Sequence, residues 1–297
     1  MSTQKEGLIT SAFGRHYQLE LSNGTRLLAH PRGKKSDAVV GDRVAWQHSQ
    51  DEAVIEKILP RRNLFYRQDE IRTKAFAANI DQILLMIAAE PQFSSHQVNR
   101  TLVAAQAQDI KTIIVLNKSD LTEPFAAAMQ RLQPYIHMGC TVIQTSMCQP
   151  NPIQPLEKIL CDKTTLILGP SGSGKSTLIN ALIPDAQVQT REISKALGTG
   201  KHTTTSSQWY WLPGHHGAVI DSPGFQEFGL HHIEATQLAS LMPDLVKYIP
   251  QCRFYNCTHL HEPGCGVIAA LERQDIDPTR YRFYQDVMQE LLAPPKY

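Results

Sequence analysis

The sequence predicts a multidomain chain in three parts. These are an N-terminal β-barrel of OB-like kind over residues 1–65, a central α/β domain over 66–230, and a small, mainly α C-terminal domain over 231–297. Three observations predict it. Short segments of period-two hydrophobicity, parted by tight turns, fill the first stretch. Apolar runs of strand length then alternate with helical stretches. The last stretch sets cysteines and histidines in a helical background. A chain of 297 residues has room for two or three cores.

In the first part, Tyr17, Leu19 and Leu21 alternate with Gln18, Glu20 and Ser22, which is strand periodicity. Asn23-Gly24 follows, a strong hairpin signal, with Leu27 and Leu28 on the return strand. Residues 39–46 and 53–58 supply two more strands. Short strands and tight turns over about 60 residues fit an OB-like or SH3-like barrel. The loop Pro31-Arg32-Gly33-Lys34-Lys35 is basic. It reads either as a solvated loop or as an RNA contact.

In the second part, residues 81–89 form a continuous apolar run, as a buried parallel strand requires. Residues 98–107 read as a helix, and 112–116, 140–145, 165–168 and 218–220 as further strands. Such alternation implies an α/β sheet with ligands at the carboxyl ends of its strands.

Charge and cysteine usage narrow the classes. Lys plus Arg number 29 against 28 Asp plus Glu, so there is no general polyanion-binding signal. No run of about 18 apolar residues predicts a membrane span, and residues 1–6 lack the apolar core of a secretory signal. A cytoplasmic monomer is expected, in which six cysteines are not a disulfide framework.

The strongest motif is Gly169-Pro170-Ser171-Gly172-Ser173-Gly174-Lys175-Ser176, followed by Thr177. It matches the P-loop pattern, follows an apolar strand and opens a helical stretch. Its glycines let backbone N–H groups converge on phosphate at a helix N-terminus. Lys175 would reach the β- and γ-phosphates, and the Ser176 hydroxyl would ligate Mg²⁺. Asn117-Lys118-Ser119-Asp120, at the end of the 112–116 strand, selects the base. The Asp120 carboxylate can accept from guanine N1–H and its 2-amino group, donors that adenine lacks. Alone, this segment also reads as a helix N-cap. Ser146, after Thr145, would offer a backbone N–H to guanine O6, although Met147 stands where a small residue is usual. Asp221-Ser222-Pro223-Gly224 places a carboxylate to hold Mg²⁺ and a glycine N–H to sense the γ-phosphate. Between these lies Lys201-His202-Thr203-Thr204-Thr205, where one threonine can close over Mg²⁺ as a switch does.

The order of these motifs is permuted. An ordinary GTPase runs P-loop, switch threonine, D-x-x-G, N-K-x-D and then the serine loop. Here the last two come first, so the D-x-x-G switch leads straight into the C-terminal part. Phe225 follows Gly224, where many GTPases carry the Gln that orients water. His202, in the switch segment, is the polar candidate for that role. Cys252, Cys257, His259 and Cys265 lie within fourteen residues and form a Cys₃His set suited to structural Zn²⁺. His261 is a spare ligand, while Cys140, Cys148 and Cys161 are scattered.

This arrangement resembles the bacterial ribosome small-subunit-dependent GTPase A family, also called YjeQ, over essentially the whole chain. The resemblance rests on residues 117–120, 169–177, 200–205 and 221–224 and on the cysteine cluster. It implies an OB barrel, a permuted GTPase domain and a zinc domain in a factor of late 30S maturation. It further implies contact with 16S rRNA, other assembly factors as neighbours, and GTP-to-GDP turnover stimulated by the subunit. Thr204 matches the family's switch threonine and His202 a proposed catalytic histidine, with Lys175 on the phosphates. Lys201 and the Thr-Ser-Met loop depart from the family pattern without touching the phosphate chemistry. Two other readings compete: a P-loop ATPase or kinase, and a switch that holds GTP without turnover.

Overall fold

The computed structural model describes residues 5–33, 37–49, 52–70, 72–186, 207–222, 225 and 228–293. The three-part architecture is as the sequence predicts, with the parts knitted together more closely than the sequence suggests.

Five strands form the barrel: β1 (Lys5–Phe13), β2 (His16–Glu20), β3 (Arg26–Pro31), β4 (Arg43–Ser49) and β5 (Glu52–Ile58). They pair in the order β1-β2-β3-β5-β4, and β4 returns to β1, closing the barrel. Inward positions Ile9, Tyr17, Leu19, Ala29, Val44, Trp46, Ala53 and Ile55 make its core, so the period-two pattern is spent on one interior. The exit from the barrel is locked. Asp42 is wholly buried, and Arg61 donates to both of its carboxylate oxygens at 2.7 and 2.8 Å. Gly41, at φ +92°, lies so close to the next hairpin that a Cβ would sit 2.2 Å from the Ala78 carbonyl oxygen. That hairpin pairs β6 (Leu64–Gln68) with β7 (Thr73–Ala78).

The α/β sheet follows, from β8 (Gln82–Ala88), β9 (Lys111–Asn117), β10 (Thr141–Gln144), β11 (Thr164–Leu168), β12 (Gln208–Trp211) and β13 (Ala218–Asp221). Its order is β10-β9-β8-β11-β13-β12, parallel except for the antiparallel β12. The phosphate strand β11 thus sits centrally, between a strand before it in sequence and one after it. Strand residues alternate between two cores. Ile83, Leu85 and Ile87 face α1 (Ser95–Gln106) and α2 (Thr122–His137), whereas Leu84 and Met86 face α3 (Gln154–Leu160) and α4 (Lys175–Leu182). Helix α2, with prolines at 124 and 134, was not singled out in the sequence, because proline masks the helical pattern. The barrel joins this sheet through β1–β12 pairing at Ser11 and Gln208, and the Trp211 indole donates to Glu20 at 2.5 Å.

The C-terminal part contains α5 (Ala235–Leu238), α6 (Pro243–Val246), α7 (Gly266–Glu272) and α8 (Pro278–Leu292). Its short length is offset by sharing a core. Leu245, Val267, Tyr284 and Val287 pack in one cluster with Phe65, Phe76, Val98 and Phe228 of the preceding part. Polar groups bridge the same seam. Arg280 of α8, 2% exposed, donates to Asp244 at 2.8 and 2.9 Å and to Asn99 of α1 at 2.7 Å. Removing one partner of such a buried pair strands the other charge. Arg280→Met is therefore expected to cost about 3–5 kcal/mol in urea unfolding. An unchanged unfolding midpoint would show that this network does not hold the two parts together.

Candidate nucleotide site and metal centre

The carboxyl ends of β9, β10, β11 and β13 lie along one edge of the parallel sheet, and each delivers a motif. From β11 the chain enters the P-loop, where Gly172 and Gly174 adopt φ +85° and +99°. Those left-handed conformations turn the backbone so that α4 begins at Lys175 with its N-terminal N–H groups directed at the loop's concavity. Gly169 and Gly174 also lack room for a side chain. A Cβ on the first would lie 2.3 Å from the Met86 carbonyl oxygen, and on the second 2.2 Å from the Asn117 carboxamide nitrogen. Ser171 and Thr177 are exposed, Pro170 and Ser176 half-buried, and Ser173 buried.

Asn117 joins the base loop to the phosphate loop. Its Nδ2 donates to the Ser173 carbonyl at 2.9 Å, and its Oδ1 accepts from the Met147 N–H at 3.2 Å. Lys118 follows at φ +69°, and the Ser119 N–H donates to the Thr145 carbonyl at 3.0 Å. These bonds hold residues 117–120 against residues 145–147. The Ser146 hydroxyl donates to the exposed Asp120 carboxylate at 2.5 Å. That hydrogen bond is the main reason the Asp120 carboxyl is held below the usual carboxylate range. Ser146 thus acts through its side chain, orienting Asp120, a contact absent from the sequence reading. Met147 is accommodated because its side chain packs beside the core under α3 and α4.

At the end of β13, Asp221 is 1% exposed and its carboxylate contacts Lys175 Nζ in an ion pair. The predicted phosphate-binding cation and the predicted metal-holding carboxylate therefore meet. Asp221, buried at the end of β13, and Ser176, on the first turn of α4, carry hard oxygen donors of the kind that Mg²⁺ takes. His202, Thr204 and Gly224 lie outside the described residues. Phe225 is 3% exposed and faces Phe228 at 6.3 Å between ring centroids. It serves as an apolar anchor.

The second cluster lies before α7. The ligand atoms of Cys252, Cys257, His259 and Cys265 all lie within 4.8 Å of one another. His259 Nδ1 stands 3.4 Å from the Cys252 sulfur and 3.5 Å from that of Cys265. The backbone N–H groups of Gly266 and Ile268 point at the Cys252 and Cys265 sulfurs. Burial raises the thiols of Cys257 and Cys265, a cost that a bound dication reverses by taking them as thiolates. Three sulfurs and one imidazole nitrogen, with no fifth donor needed, fit tetrahedral Zn²⁺. The loop is clamped from outside. Tyr281 and Tyr284 of α8 donate to the His259 and Thr258 carbonyls at 2.7 and 2.6 Å. His261 is exposed and stands apart from the set.

A P-loop and a base loop on one sheet, met in an order that begins at the base loop, define a circularly permuted GTPase. The chain belongs to the RsgA GTPase family, whose model matches residues 58–231. A small ribosomal subunit biogenesis GTPase RsgA from Variovorax paradoxus is 56% identical over 293 residues, covering 96% of this chain and 92% of that protein. Solved structures are similar as well. YjeQ from Thermotoga maritima gives a TM-score of 0.77 at 29% identity, covering 98% of this chain and 99% of its own. YloQ, described as a circularly permuted GTPase, gives 0.72 at 29% identity over 100% and 98%. GTP hydrolysis is accordingly the activity of this chain.

Two outcomes are expected of these sites. Asp120→Asn should weaken GTP by at least about tenfold and favour xanthosine triphosphate, read by competition binding. Unchanged GTP affinity would remove Asp120 from base reading. Metal analysis should find about one zinc per chain. Cys257→Ala should lower that content and loosen residues 252–265 while sparing nucleotide affinity; full zinc in a Cys252/Cys257 double variant would contradict the assignment.

Proposed function

We propose that this chain binds the small ribosomal subunit and hydrolyses GTP there late in 30S maturation, with turnover stimulated by the subunit. Its Variovorax relative is a small ribosomal subunit biogenesis GTPase. The observation that carries the reading is the path from the nucleotide site to the C-terminal part. Strand β13 ends at Asp221, and Phe225 and Phe228 then enter the core shared with α5–α8. Contact of the C-terminal part with a large partner therefore bears on the segment that follows the metal-holding carboxylate.

In this reading Lys175 neutralises charge on the phosphates, and the P-loop N–H groups hold them in place. Ser176 and Asp221 would hold Mg²⁺, which would supply neutralising positive charge for the phosphates. Asn117, Lys118, Ser119, Asp120 and Ser146 select and cover guanine. Thr204 contacts the triphosphate, Gly224 senses the γ-phosphate, and His202 positions water in the subunit-bound enzyme. Zn²⁺ on Cys252, Cys257, His259 and Cys265 is structural. The partners are 16S rRNA and neighbouring assembly factors, met by a monomer in the cytoplasm. No described helix is long and apolar enough to cross a membrane.

A competing reading, a switch that holds GTP without turnover, draws on Phe225. Its buried ring leaves no polar group at that position to orient water. Multiple-turnover hydrolysis with and without small subunits separates the two. The free chain should turn over at about 10⁻⁴–10⁻² s⁻¹, the range of GTPases awaiting a stimulating group. Saturating subunits should raise that rate, and His202→Ala should abolish most of the rise while preserving GTP and subunit binding. No stimulation of the unaltered chain would sink the proposal; full stimulation of the variant would remove His202 from it.

A further inference from the structure

The tip of the zinc loop carries an aromatic pair that the fold does not use. The Cys257 N–H donates to the Phe254 carbonyl at 3.3 Å, so residues 254–257 form a turn with Tyr255 and Asn256 at its apex. Turn apices favour glycine, asparagine, aspartate and serine, which cost nothing when solvated. Here Tyr255 is fully exposed, and Phe254 is 41% exposed beside it. Neither ring belongs to the hydrophobic clusters of the described residues. Yet the backbone beneath them is tied down on both sides. Cys252 and Cys257 flank it as members of the metal set, and the Arg253 N–H donates to the Gly264 carbonyl at 3.0 Å. A rigid turn presenting two unburied rings is built for contact.

The charges around it choose the partner. The Arg253 guanidinium lies over the Phe254 ring at 5.5 Å and is not within ion-pair distance of a carboxylate among the described residues. The loop's own carboxylate, Glu262, is turned inward. Its carboxylate accepts hydrogen bonds from the Thr258 hydroxyl and N–H and from the Leu260 and His261 N–H groups. The exposed tip is thus aromatic and cationic, with its acid withdrawn. Flat rings beside a cation match unpaired nucleobases on a phosphate backbone. They match a helical duplex poorly, because its bases are already stacked on one another.

We propose that Phe254 and Tyr255, with Arg253 beside them, form a stacking platform for unpaired bases of RNA. This deepens the small-subunit reading by naming the zinc-loop tip as a contact with single-stranded rRNA. The rings take base faces, and Arg253 takes an adjoining phosphate or stacks in turn. The metal set fixes the presentation, so that little ordering entropy is lost on contact.

The test uses the full zinc-loaded chain and a short fluorescein-labelled single-stranded oligoadenylate, with affinity read by anisotropy across a salt series. Cosedimentation with small subunits is measured in parallel, and zinc content and basal GTP turnover report integrity. The Phe254→Ala/Tyr255→Ala double variant should lose about tenfold in oligonucleotide affinity for each ring removed. Tyr255→Phe should bind as the unaltered chain does, and Arg253→Gln should reduce the salt slope by about one. Equal affinity of the double variant and the unaltered chain would overturn the proposal. So would a loss in Tyr255→Phe equal to that of the double variant, which would mark a hydroxyl contact instead of stacking. Unchanged oligonucleotide affinity with reduced cosedimentation would overturn it in favour of a ribosomal protein partner. An unaltered chain that binds the oligonucleotide but not the subunit would sink the small-subunit reading and leave the stacking platform standing.

Discussion

The carboxamide of Asn117 is the constraint on which the nucleotide site depends. It donates to the Ser173 carbonyl of the P-loop and accepts the Met147 N–H of the loop after β10. Three segments far apart in sequence therefore share one side chain, and Gly174 is the residue that lets it approach. A base loop and a phosphate loop must be held at a fixed spacing to grip one nucleotide. In this permuted chain the base loop is made first and the phosphate loop later. Continuity of the sheet, with β11 between β8 and β13, makes the order of synthesis irrelevant to the final spacing.

The permutation has a mechanical consequence. Because β13 is followed directly by the C-terminal part, the stretch past Asp221 is gripped from several sides. The Arg100 guanidinium donates to the Phe228 carbonyl at 3.0 Å and pairs with Glu290 of α8. Gly229 runs against the β6–β7 turn so closely that a Cβ would lie 2.4 Å from the Gln68 carbonyl oxygen. The His231 N–H then donates to the Gln68 carbonyl at 2.9 Å. The segment that follows β13 is thereby packed to α8, which also clamps the 252–265 loop. A shift on one side is felt on the other because packed interfaces move as units.

Most of the candidate site's residues were legible in the sequence because each motif is local. The P-loop, residues 117–120, Asp221 and the Cys₃His set each compress a function into a few adjacent positions. The barrel and the parallel sheet were legible through period-two and continuous apolar patterns. What was not legible depends on contacts across long separations. Arg280 with Asn99, Asp42 with Arg61, and Ser146 with Asp120 pair residues whose types alone do not announce a partner. The shared core of the C-terminal part was hidden for the same reason. Its helices are short, and their apolar residues are counted as a core only once Phe65, Phe76 and Phe228 are beside them. Helix α2 was obscured by its prolines. Ser146 shows a subtler limit: its place in the base loop was readable, whereas its work through the hydroxyl was not.

The central claim is that one buried carboxamide holds the base and phosphate loops in register, and release of fluorescent GDP from Asn117→Ala tests it most directly. Losing the bond to Ser173 strands a buried carbonyl at a cost of about 1–3 kcal/mol. If the carboxamide holds the loops together, GDP release should accelerate by about tenfold or more while the global unfolding midpoint moves little. Release at the unaltered rate would contradict the account and leave each loop holding its own half of the nucleotide.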